Sequence, residues 1–134
     1  MNAPCQPLKV LVYSDDVTVR QQVIGALGGW RGAADPTVEW IEVATEPVVL
    51  QAAQQGDLAL AVLDGQAVPA GGLVVAKRLK SEMEPCPPVI VLTSRAEDAG
   101  LAASAGADAS VAHPVDDDAL ARAAEGLLRS LVEA

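Results

Sequence analysis

The sequence predicts an α/β domain in which five strands alternate with five helices around a parallel sheet. Three observations predict it. Short apolar runs recur at 8–13, 38–43, 58–63, 89–92 and 109–112, each bounded by turn residues. Two of them, Leu8-Lys9-Val10-Leu11-Val12-Tyr13 and Leu58-Ala59-Leu60-Ala61-Val62-Leu63, are apolar almost throughout, as strands covered on both faces are. Between the runs lie segments with helical spacing and helix start and stop signals.

Taken in order, residues 1–7 read as a flexible N-terminal tail and residues 8–134 as one domain. Helix one spans about 17–27, with Val19, Val23, Ile24 and Leu27 on one face and Gly28-Gly29 as its stop. A Gly/Pro/Asp loop at 28–37 carries Trp30. Helix two covers about 47–55, with Pro47 in its first turn and Gly56 beyond its end. A Gly/Pro-rich loop precedes helix three at about 72–83. Ser94-Arg95-Ala96-Glu97 has the form of a capping box and is expected to open helix four, which ends near Gly106. Helix five follows Asp116. Val115 and Leu120 suit a hydrophobic staple there, and Asp117 and Asp118 suit the positive end of the helix dipole. Leu120, Ala124, Leu127 and Leu131 then form a stripe for burial.

Composition narrows the function. The 134 residues suit one core, and the only aromatics are Tyr13, Trp30 and Trp40, so that core must be aliphatic. Eighteen acidic against nine basic side chains give a net charge of −9, which repels nucleic acid and anionic membranes. No apolar run approaches the roughly 20 residues of a membrane span, and the N-terminus lacks the layout of a signal peptide, so a cytoplasmic location is expected. Cys5 and Cys86 lack metal-ligand spacing and read as reduced thiols.

The chemistry concentrates where strands end. Asp15 and Asp16 follow the first strand and Asp64 follows the third. In a parallel sheet the functional crevice lies beyond the carboxyl ends of the strands, so the three carboxylates are expected to converge. Like charges brought together call for a cation, and carboxylates suit a hard one such as Mg²⁺, with one carboxylate left as a nucleophile. Asp15 and Asp16 are equally suited to capping helix one.

These features resemble the receiver domains of bacterial two-component response regulators, over nearly the whole chain. Asp15-Asp16 resembles the family's acidic pair and Asp64 its phospho-accepting aspartate. Pro69 and Gly72-Leu73 resemble the loop and helix start that follow, with Pro69 one place late. Thr93-Ser94 resembles the switch hydroxyl and its small neighbour, and Ala105-Gly106-Ala107-Asp108 the turn before strand five. His113-Pro114 stands where the family has Lys-Pro, and Ser110 where it has an aromatic. The resemblance implies a doubly wound, flavodoxin-like sheet of order 2-1-3-4-5. It implies phosphorylation of Asp64 by a histidine kinase, with Mg²⁺ held by Asp16 directly, Asp15 partly through water, Asp64 and the backbone carbonyl of Gln66. It also implies a cis His113-Pro114 bond, a target protein bound through helix four, strand five and helix five, and scope for a homodimer.

Departures from the family point to a second function. Unlike lysine, an imidazole is not charged at every physiological pH, so His113 would hold a phosphoryl oxygen less firmly. A receiver weakened in this way could serve as a phosphate-independent protein-binding module. A flavin- or nucleotide-binding protein is disfavoured, because Ser14-Asp15-Asp16-Val17-Thr18 puts negative charge where a phosphate cradle would sit. A hydrolase would need a second acid or base beside Asp64, and none is evident, so no enzyme activity is expected beyond self-phosphorylation from small donors and self-dephosphorylation.

Overall fold

A computed structural model describes residues 8–27, 38–55, 58–65, 71–83, 86–95, 98–113 and 115–133. Its elements alternate as β1 (Leu8–Tyr13), α1 (Val17–Leu27), β2 (Val38–Val43), α2 (Glu46–Gln54), β3 (Leu58–Asp64), α3 (Gly72–Glu82), β4 (Val89–Thr93), α4 (Ala99–Ser104), β5 (Ala109–Ala112) and α5 (Asp117–Glu133). The strands form one sheet in the order β2-β1-β3-β4-β5, and every neighbouring pair is parallel. This is the expected doubly wound architecture.

Strand alternation splits the aliphatic residues between two cores. Val10, Val12, Leu60, Val62, Ile90 and Leu92 face Val23 and Leu27 of α1 and Leu120 and Ala124 of α5. Leu11, Tyr13, Ala61, Leu63, Val89 and Val91 face Val49 of α2, Val75 and Leu79 of α3, and Ala102 of α4. Both faces of the sheet are thus covered, which is why the strand sequences lack polar alternation. Trp40 is partly buried against the first core, and Val115 and Leu120 share that core as the staple requires.

Helix four differs from expectation. It begins at Ala99, with Asp98 before it, and the Asp98 amide donates to the Arg95 carbonyl at 3.0 Å. An i→i+3 bond of this kind is common in the first turn of a helix, so the α-helical part starts later than the capping box suggests. Ala96 and Glu97 lie outside the described residues, as do the 1–7 tail, the 28–37 loop with Trp30, Gln66, Pro69 and Pro114. The chain forms no helix, among the described residues, long and apolar enough to cross a membrane.

Candidate functional site

Parallel register assembles the site. Tyr13 of β1 pairs with Leu63 of β3, so the residues that follow them, Ser14 and Asp64, leave the sheet side by side. Ser14, Asp64 and Thr93 are the buried polar residues among those described, at 0 %, 2 % and 3 % exposure. Buried polar groups require partners, and these have them. The Ser14 hydroxyl donates to Asp64 Oδ2 at 2.7 Å. His113 follows Ala112, which pairs with Thr93, and the His113 amide donates to the Thr93 carbonyl at 2.8 Å. That fixes the imidazole beyond the end of β4, and its Nε2 lies 3.0 Å from Asp64 Oδ1. An ionised carboxylate only accepts, so in that state Nε2 carries the proton and donates. Each oxygen of Asp64 therefore has a partner.

The surrounding backbone is equally constrained. The Gly65 amide donates to the Leu92 carbonyl at 2.7 Å, and a Cβ at Gly65 would stand 2.5 Å from that carbonyl oxygen. A Cβ at Gly72 would meet the Asp64 carbonyl carbon at 2.8 Å. The start of α3 thus rests directly on the Asp64 backbone, and only glycine permits that approach at either position.

The sequence-predicted residues separate. Asp64 and His113 come together as expected. The Thr93 side chain is buried at the end of β4, and its hydroxyl donates to the Arg95 carbonyl at 3.0 Å. Asp15 and Asp16 are exposed. Asp16 Oδ1 accepts the Thr18 amide at 2.9 Å, the helix-capping role that was the alternative for this pair. The expected convergence of three carboxylates is corrected accordingly. Ser14, not an aspartate, takes the sheet-end place beside Asp64, and Asp16 has passed into the turn. Among the described residues no three His, Cys, Asp or Glu side chains are grouped to hold a metal ion.

Three carboxylates nevertheless act on one group. Tyr13 is buried beneath the site, and its hydroxyl is pushed above the ordinary phenol value, first by burial and then by the charges of Glu46, Asp15 and Asp64. Asp15 and Asp64 thus both act on that hydroxyl, and carboxylate oxygens have the chemistry of hard-cation donors. Glu46 Oε2 lies 3.3 Å from Arg78 Nη1, an ion-pair distance, but the angle makes no hydrogen bond. Burial also pushes the Cys86 thiol up, which keeps it protonated and inert at neutral pH.

Ser14 and Arg20 carry no signal in the charge and motif pattern that singled out the aspartates. The Arg20 guanidinium donates to the Ser14 carbonyl at 2.6 Å and to Glu42 Oε1 at 3.2 Å, tying α1 to β1 and β2. A usable signal for Ser14 does exist: it follows the last apolar residue of β1 as Asp64 follows that of β3.

No family model matches the chain. Two curated sequences from Mycobacterium tuberculosis, strains CDC 1551 / Oshkosh and ATCC 25618 / H37Rv, are each named an uncharacterized response regulatory protein. Each is 46% identical to this chain over 123 residues, covering 92% of both sequences. Among solved structures, a Francisella response regulator receiver domain superposes with a TM-score of 0.77 at 20% identity, covering 94% of this chain and 99% of that one. The receiver domain of NtrX from Brucella abortus gives 0.74 at 24%, covering 90% and 98%. A chemotaxis response regulator of Vibrio cholerae gives 0.72 at 21%, covering 92% and 100%.

Proposed function

The chain belongs to the response regulators as a receiver domain, and from that premise we propose that Asp64 accepts a phosphoryl group from a histidine kinase. The observation that carries this reading is the 3.0 Å contact between His113 Nε2 and Asp64 Oδ1 at the buried end of β3. It places a nitrogen donor beside the proposed nucleophile, where a phosphoryl oxygen would need one. Receiver domains are signalling modules, and here the output is contact with a target protein across α4, β5 and α5, in the cytoplasm, with a homodimer as one such contact. Asp64 and Asp15, together with the Gln66 carbonyl outside the described residues, would hold Mg²⁺. When bound, the ion would offset repulsion between the incoming phosphate and these carboxylates.

The test is incubation with Mg²⁺ and acetyl phosphate, followed by intact-mass measurement. The expected result is one added phosphoryl mass in wild type and none in Asp64→Asn. A second reading, a phosphate-independent binding module, is favoured by one observation. Both Asp64 oxygens and the Thr93 hydroxyl already have partners within the protein. Wild type that stays unmodified with several donors would decide for that second reading.

A further inference from the structure

The Ser14 oxygen is the junction of the site. It donates to Asp64 Oδ2 at 2.7 Å and accepts the Asp16 amide at 3.0 Å. The rest of Ser14 is held as firmly. Its amide donates to the Val43 carbonyl at 3.1 Å, and its carbonyl accepts from Arg20 at 2.6 Å. A buried hydroxyl whose every polar function is engaged has little freedom to leave Asp64.

We propose that Ser14 is a positioning residue that restrains Asp64: it selects which carboxylate oxygen reacts and slows that reaction. This rests on the reading of Asp64 as phospho-acceptor. With Oδ2 held by the Ser14 hydroxyl, a lone pair on Oδ1 forms the new O–P bond. The P–O bond to the acetyl group of acetyl phosphate breaks, and its electron pair leaves with acetate. Oδ2 becomes the carbonyl oxygen of the acyl phosphate. The His113 donor, released from Oδ1, lies where the phosphoryl oxygens arrive. The restraint follows from charge. A hydrogen bond to a carboxylate is roughly twice as strong as one to a neutral acceptor. The Ser14 bond thus stabilises the unmodified aspartate more than the transition state, in which that charge is being lost.

The experiment compares initial rates of phosphoryl acceptance from acetyl phosphate with Mg²⁺, read by intact mass, in wild type, Ser14→Ala and Ser14→Thr. Ser14→Ala should accept about five- to tenfold faster, the size of roughly one such charge-assisted difference. Ser14→Thr, which keeps the hydroxyl, should stay near wild type. A merely structural role predicts the opposite, because a loosened site reacts more slowly. Should the alanine variant fail to fold, Ser14→Cys, with a weak S–H donor, should still react faster than wild type. An adduct on wild type with an equal or slower rate in the folded Ser14→Ala or Ser14→Cys variant overturns the proposal and leaves the acceptor reading standing. No adduct on any variant overturns both. An adduct on Ser14→Ala alone supports the restraint by Ser14 and decides against phosphoryl acceptance by the wild-type protein.

Discussion

Tyr13 reports on the site from below. Its hydroxyl is raised above the ordinary value of 10.0 by burial and then by Glu46, Asp15 and Asp64. The folded protein therefore holds the phenolic proton more tightly than the unfolded chain does. The stability this contributes is fully present below pH 10.0 and drains away as pH rises through the folded-state value. Tyr13 is the only tyrosine in the chain, so tyrosinate absorbance titrates it alone. The titration midpoint should lie above that of the denatured protein, and Asp15→Asn should bring it partly back. A midpoint equal to the denatured one would remove the argument for a shared acidic field. The buried Ser14–Asp64–His113 chain illustrates a related rule at this scale, that low dielectric makes a satisfied polar network firm and an unsatisfied one costly.

Elements are locked together by few polar ties, and Arg20 makes two of them. From α1 it reaches the carbonyl end of β1 and the Glu42 carboxylate of β2. Its side chain is 17 % exposed, so the contact to Glu42 is partly screened, whereas the 2.6 Å bond to the Ser14 carbonyl is the more protected. Hydrogen bonds from charged groups contribute about 1.5–3 kcal/mol. Arg20→Ala should therefore cost about 2 kcal/mol in urea unfolding. Arg20→Lys should recover only part of this, because an ammonium lacks the planar fork that spans both acceptors. Equal stability of wild type and Arg20→Ala would show that the tie is dispensable. Gln22 makes a parallel link, donating to the Val115 carbonyl at 2.9 Å and joining α1 to the approach of α5.

At the scale of the molecule, stability rests on two aliphatic cores on either side of one sheet. Leu60 is fully buried in one and Leu63 in the other, and they are three residues apart on β3. Removing a buried leucine side chain costs about 2–5 kcal/mol, depending on how far the cavity collapses. Leu60→Ala and Leu63→Ala should each fall in that range by denaturant unfolding. Their effects should add closely if the central sheet insulates the two cores. Strong coupling between them would mean that the sheet transmits strain from one face to the other. The net charge of −9 acts on the whole surface and is of the sign that repels a phosphate backbone.

Much of this was legible in the residues alone. The bounds of β1, α1, β2 and β5 follow from the apolar runs, Gly28-Gly29 and the turn residues, because strand and helix periods are local properties of the chain. Asp64 was legible because it directly follows a buried strand. The α-helical part of helix four starts later than the capping pattern suggests, because Asp98 first makes an i→i+3 bond to Arg95, while its end near Gly106 is where the sequence puts it. The site's inner partners depended on tertiary structure. Ser14 became the partner of Asp64 only because β1 lies next to β3 in register, and His113 reached across the end of β4 from a strand two places away. The residues themselves determined the alternating elements, the two-faced aliphatic core and the aspartate at the strand end. Tertiary structure alone decided which side chains meet that aspartate, since hydrogen bonds between residues 14, 64 and 113 are set by strand order and register, which no local period encodes.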